Sequence, residues 1–268
     1  MKIERREVQN GLIQFTTADE RWYYHTSKNE WYKSSSWVCG YIYKGREFEE
    51  YLKRTGKDAD VILEEAGDRG NKVHGAIHLL VHRKATQGEG YLDVEKELFM
   101  NNSNGLYEQL KGEECEIVLS FVNWFKNLEE KYRVEIIDYE VSDFNEEWKF
   151  AGTRDLRIKL QIKEPIVFNP KRKTQEEDLS GTWLIDYKTS KAIYLSHIAQ
   201  ISSYRRMPGC ANDRLAILQV GYKLNKTGYK FTEVEDKFHI WLSANVQWLE
   251  ENENKTPKQF EIPQLLKI

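Results

Sequence analysis

An aspartate and a lysine two residues apart close an apolar run in the segment Thr182-Trp-Leu-Ile-Asp186-Tyr-Lys188. Side chains alternate along a strand, so Asp186 and Lys188 project from one face. At the end of a buried strand such charges are unfavourable unless they pair or hold a metal ion. A second acid ends another apolar entry, Phe150-Ala-Gly152-Thr-Arg-Asp155. On a neighbouring antiparallel strand, Gly152 would permit close backbone approach and Asp155 would face Asp186. Two converging carboxylates repel, so one stays protonated or a cation sits between them. Mg²⁺ suits such a pair, because it takes a few carboxylates and completes its shell with water and phosphate oxygens. Asp-x-Lys alone is common by chance, and the second acid is what gives it weight.

These groups need elements to hold them. Lys149–Ile162 reads as a strand, with Leu156, Ile158 and Leu160 alternating against Arg157, Lys159 and Gln161. Val134–Val141 reads as the strand before it and carries Glu135, Asp138 and Glu140, the last two alternating to one face. Apolar residues from Ile117 to Tyr132 recur at helical spacing, which predicts an amphipathic helix over 112–132. Asp58–Arg83 is also helical in pattern, with Gly67-Asp-Arg-Gly70 as an interruption and a second helix from Asn71. That second helix presents His74 and His78 one turn apart. Residues 163–181, with the basic cluster Lys171-Arg-Lys173, form an exposed excursion. A helix around Ser196–Arg206, strands Leu215–Lys223 and Tyr229–Val234, and a closing helix Asp236–Glu250 follow. The expected order is helix, three strands, helix, strands.

Four separated strings together resemble a known family. Arg69-Gly70-x-x-x-His74, Gly152-Thr-x-Asp155, Ile185-Asp186-Tyr-Lys188-Thr and Gln200-x-x-x-Tyr204 are similar, in order and distance, to the PD-(D/E)XK nuclease superfamily. The similar branch is the RecB-like one that includes phage exonucleases, and the resemblance covers roughly residues 60–225. It implies an α/β fold: a restriction-endonuclease-like core, with a central mixed sheet flanked by helices in αβββαβ order. The expected division is a helical, aromatic N-terminal part over 1–57, a nuclease core over 58–250 and a tail over 251–268.

The same resemblance implies roles. His74, Asp155 and Asp186 would be metal ligands, joined by the Tyr187 backbone carbonyl. Relatives place a glutamate on the preceding strand, for which Glu140 is suitably positioned. Lys188 would orient or deprotonate water, or stabilise charge on the phosphate; near metal ions in a partly dry site a lysine can have a lowered pKa, which makes either role feasible. Gln200 and Tyr204 would contact DNA or brace the lysine, while Arg69, Lys72 and Lys191 would meet phosphate. Blander roles stand beside these: solvated charges for Arg69 and Lys72, a core position for Tyr204, a solvated pair for His74 and His78. The implied activity is a Mg²⁺- or Mn²⁺-dependent DNA exonuclease acting on single-stranded ends in phage or bacterial replication, recombination or repair, beside partner proteins of those processes. A double-strand exonuclease, an endonuclease and a catalytically silent DNA-binding accessory protein are the alternatives.

Composition bounds these readings. In 268 residues, 40% are hydrophobic and 31% charged, the profile of a globular chain with material for a core. No apolar run approaches the ~20 residues that span a bilayer, and no secretory signal is visible, so a cytoplasmic protein is expected. The net charge of −3 neither announces nor excludes a polyanionic partner. Cys39, Cys115 and Cys210 lie far apart with no Cys-x-x-Cys pair, which predicts reduced thiols and no iron–sulfur cluster. The early aromatics, among them Trp22, Trp31 and Trp37, are expected in a core rather than as base-stacking platforms.

Overall fold

The computed structural model describes residues 3–17, 20–56, 59–94, 99–101, 106–164 and 177–257. Four strands open the chain: β1 (Glu4–Glu7), β2 (Leu12–Thr16), β3 (Arg21–His25) and β4 (Glu30–Ser34). Helices α1 (Ser35–Cys39), α2 (Arg46–Thr55) and α3 (Ala59–Gln87) follow, then a two-stranded ribbon of β5 (Phe99–Asn101) and β6 (Leu106–Glu108). The remainder is α4 (Gly112–Lys131), β7 (Tyr132–Asn145), β8 (Phe150–Ile162), β9 (Gly181–Lys188), α5 (Leu195–Tyr204), β10 (Arg214–Val220), β11 (Tyr229–Val234) and α6 (Phe238–Asn252). The fold is mixed α/β, with one nine-stranded mixed sheet and six helices among the described residues. No helix among them is long and apolar enough to cross a membrane.

β8 is the spine of the sheet. Its whole length pairs antiparallel with β7, its C-terminal half pairs antiparallel with β9, and its first residues meet β4 in parallel. β9 then pairs in parallel with β10, which pairs antiparallel with β11. Helices cover both faces, so β10 is almost wholly buried and reads as the unbroken apolar string Leu-Ala-Ile-Leu. Alternation sorts the strand residues between two cores. Leu156, Ile158, Trp183, Ile185, Ala216 and Leu218 pack against α3 and α4. Leu184, Leu215 and Ile217 pack against α1, α5 and α6.

Two sequence expectations change here. The N-terminal part expected to be helical supplies β1–β4, an antiparallel meander that extends the main sheet through Lys33↔Phe150. Most of its aromatics pack in or against the core, as expected, while Tyr43 is exposed. Trp22, Trp37 and Trp248 of α6 meet edge-on with centroids 5.1–5.6 Å apart. The Gly67–Gly70 interruption does not occur either, and α3 runs unbroken for 29 residues. A helical glycine costs about 1 kcal/mol relative to alanine. Burying Val73, Ala76, Ile77 and Val81 on the same helix outweighs that. The basic cluster at 171–173 lies outside the described residues.

Candidate metal centre

Three ligand atoms converge from three elements. His74 of α3, Glu140 of β7 and Asp155 of β8 each offer one donor, and these atoms lie within 4.8 Å of one another. His74 Nδ1 is 3.5 Å from Asp155 Oδ1. The other Asp155 oxygen, Oδ2, accepts a hydrogen bond of 2.7 Å from the Tyr187 backbone N–H. That bond ties the triplet to β9 between Asp186 and Lys188. The Tyr187 backbone thus engages the cluster through its N–H.

Glu140 reaches the triplet through an unusual backbone. It sits between the paired positions Tyr139↔Leu156 and Val141↔Arg154 yet has φ of 50°, the left-handed region that a bulky residue rarely enters. Such a conformation stores about 1–3 kcal/mol and collects at functional sites. A bulge between Ile136 and Asp138 lies just before it. The left-handed φ of Glu140 breaks the alternation that would put Asp138 beside it. Asp138 instead accepts from Arg154 Nε at 3.1 Å and lies 3.8 Å from Arg157, while Glu135 is exposed opposite Lys159.

The Asp186–Lys188 pair adjoins the triplet and faces α5. Lys188 Nζ is 2.6 Å from Asp186 Oδ2 and donates to Gln200 Oε1 at 3.3 Å. Gln200 Nε2 in turn donates to the Tyr204 hydroxyl at 2.9 Å. Gly152 makes this arrangement possible. A Cβ there would lie 2.5 Å from Cε1 of Tyr204, so the ring packs directly on the β8 backbone.

Electrostatics follow from burial and crowding. Burial and the Asp155 charge push the Glu140 carboxyl up to about 7, against partial opposition from His74 and Arg6. Burial pushes the Asp186 carboxyl up to about 6; Lys188 opposes this and Asp155 adds to it. For Asp155, burial acts upward, but His74, Lys188 and the Tyr187 N–H outweigh it and hold the carboxyl below its ordinary value. Burial lowers Lys188, yet Asp186 and Asp155 outweigh burial and hold its ammonium above the ordinary lysine range. The two carboxylates beside the ammonium are what hold it up. The donor set suits a divalent cation: one imidazole and two carboxylates, one of them pushed toward its protonated form by burial and by the other.

The remaining candidates divide. Lys72 is 2% exposed and pairs with Glu114 of α4 at 3.6 Å, so it is inside the core and not available to phosphate. Arg69 is half-buried one turn before it, with its Nε lacking a hydrogen-bond partner among the described residues. Lys191 is exposed just beyond β9. Arg205 and Arg206 both pair with Asp236, at 3.4 and 2.8 Å. His78 stacks on His82 and meets the ring of Tyr139, outside the triplet. One neighbour had no sequence signal: Arg6 of β1, whose charge is felt by both Glu140 and His78. It is remote in the chain from every motif, and only the sheet brings it close. No family model matches the chain, and no curated protein matches it.

Proposed function

We propose that this chain is a metal-dependent deoxyribonuclease of the PD-(D/E)XK type, RecB-like in character, that hydrolyses phosphodiester bonds from single-stranded DNA ends. The observation that carries the reading is the convergence of His74, Glu140 and Asp155 within 4.8 Å, next to the Asp186–Lys188 pair. Arrival of those residues from α3, β7, β8 and β9, and the run α4–β7–β8–β9–α5–β10, support a restriction-endonuclease-like core.

His74, Glu140 and Asp155 would hold the cation, Mg²⁺ or Mn²⁺, with Asp186 beside them. When bound, a divalent ion supplies Lewis-acid polarisation of the phosphate and charge neutralisation. Lys188, paired with Asp186, would serve as a fixed cation that orients the attacking water and stabilises charge building on the phosphate. Gln200 holds the ammonium through its Oε1, and Tyr204 fixes the orientation of the Gln200 amide. The imidazole in the donor set favours Mn²⁺ over Mg²⁺, whose preferred shell is all oxygen.

The test is digestion of labelled linear single-stranded, linear duplex and closed circular DNA with Mg²⁺, Mn²⁺ or chelator. Release of nucleotides from linear single strands, sparing circles and abolished by chelator, is the expected result. Cleavage of circles would replace the exonuclease reading by an endonuclease. No metal-dependent cleavage of any substrate would remove the nuclease reading.

A further inference from the structure

The β1–β2 hairpin is fastened to the strand that carries Glu140. Asn10 Nδ2 donates to the Ser142 carbonyl at 2.9 Å, and the Ser142 N–H donates to Gln9 Oε1 at 3.1 Å. Asn10 and Gly11, with φ of 57° and 70°, make the tight turn that aims the hairpin this way. Between hairpin and sheet lies a cavity of about 210 Å³ lined by Arg6, Glu7, Gln9, Glu140, Ser142 and Thr153 among others. It shares Glu140 with the candidate metal centre. Arg6 is the cation in this lining and Glu7 and Glu140 its carboxyl groups; Gln9 and the hydroxyls of Ser142 and Thr153 are neutral hydrogen-bonding groups. β1 is exposed along its length, so Arg6 is held by its strand position and not by core packing.

We infer that Arg6 is a substrate-binding residue and that this cavity receives a phosphate of the polynucleotide adjacent to the one at the metal centre. The inference rests on the nuclease reading. A phosphate there would lie between the guanidinium and a cation held by Glu140, with the arginine fork matched to its oxygens. The phosphate is either an internal diester of the strand or a terminal monoester, and oligonucleotides with and without terminal phosphates separate the two.

Arg5 supplies the control. It is one residue away, also exposed, projects from the other face of β1 and lies over the Phe15 ring. Arg6→Ala and Arg5→Ala therefore remove the same charge from the same strand. Both are placed in a Lys188→Met background, so that single-stranded oligonucleotide is bound and not consumed, and affinity is measured against salt with Mn²⁺ present. Arg6→Ala should weaken binding about tenfold and reduce the slope of log affinity on log salt by about 0.7, the value for one lost phosphate contact on a single strand. Arg5→Ala should do neither. With Lys188 intact, Arg6→Ala should raise KM more than it lowers kcat. An Arg6→Ala effect no greater than that of Arg5→Ala would overturn the assignment even while the parent protein cleaves DNA. Should the parent not cleave DNA at all, the nuclease reading fails instead. Titration with inorganic phosphate and Mn²⁺ then decides Arg6: weaker phosphate binding in Arg6→Ala alone keeps the subsite, and equal binding in both variants removes it.

Discussion

At the candidate centre, charge is confined and only partly compensated, and this governs how single residues should respond. Asp155 is held by His74 and by the Tyr187 N–H, and burial, with the Asp155 charge adding to it, pushes the Glu140 and Asp186 carboxyls up. Replacing Asp155 by Ala removes a donor and relieves repulsion, so the fold should survive while cleavage falls at least about a hundredfold. Lys188→Met should lose activity to a similar degree and keep DNA binding. Circular dichroism and nucleotide release on the same samples separate the two effects; near-wild-type cleavage in either variant would sink the site assignment.

The same residues set a pH dependence. Glu140 titrates at about 7 in the folded protein, above its ordinary 4.5, so folding favours its protonated form. That stabilisation is complete below about pH 4.5 and disappears as the pH rises through 7. Asp186, raised to about 6 from 3.8, contributes with the same sign. With chelator present, these two groups should lower the melting temperature between pH 5 and 8. A bound divalent ion replaces the missing protons, so the stabilisation by Mn²⁺ should grow across that window. Melting curves at pH 5, 6.5 and 8, with and without Mn²⁺, test this, and an Mn²⁺ effect that stays constant would count against Glu140 as a ligand.

Individual elements are locked by a few contacts that the sequence did not advertise. α3 must present His74 at a fixed height, and the Lys72–Glu114 pair, with side chains 3% and 6% exposed, ties it to α4. Removing one partner strands the other charge in the core, so Lys72→Ala should destabilise by about 3–5 kcal/mol. Replacing both by apolar residues of similar size should restore most of that loss, which a denaturant titration of single and double variants would reveal. α5 is locked through Gly152. Gly152→Ala puts a methyl group into the Tyr204 ring and should cost about 1–3 kcal/mol. It should also lower kcat, because a displaced Tyr204 no longer fixes Gln200 against Lys188. Unchanged kcat in a folded Gly152→Ala protein would show that the Gln200–Tyr204 link is dispensable.

Over the whole molecule, one sheet joins the N-terminal meander to the strands of the centre. Only Lys33↔Phe150 and Ser34↔Ala151 pair β4 with β8, but Trp22 and Trp37 lock onto Trp248 on the far side. Meander and core should therefore unfold in one transition. Trp248→Ala should lower stability by about 3–5 kcal/mol and loosen the meander first. Calorimetry is the check, and two resolved transitions in the parent protein would mean that the meander is an independent unit.

Much of the architecture was legible because it follows from periodicity. The helical spacing of Ile117 to Tyr132 and the alternation of Leu156, Ile158 and Leu160 each reflect a face that must be buried. Asp186 and Lys188 could be placed on one face because the strand period is two and the apolar run before them fixes their position at its end. The rest depended on partners distant in the chain. Local composition could not say that residues 4–34 would complete a sheet, that α3 would carry two glycines without a break, or that Lys72 would be inside. Nor does alternation foresee a left-handed residue, so Glu140 parted from Asp138 only once β7 was bent against β8. Sequence alone thus determined which residues could do chemistry and which elements would carry them, through short-range rules of period and polarity. Tertiary structure decided which of them meet, because convergence of His74, Glu140 and Asp155 and the approach of Arg6 depend on strand order, register and helix packing between segments far apart in the chain.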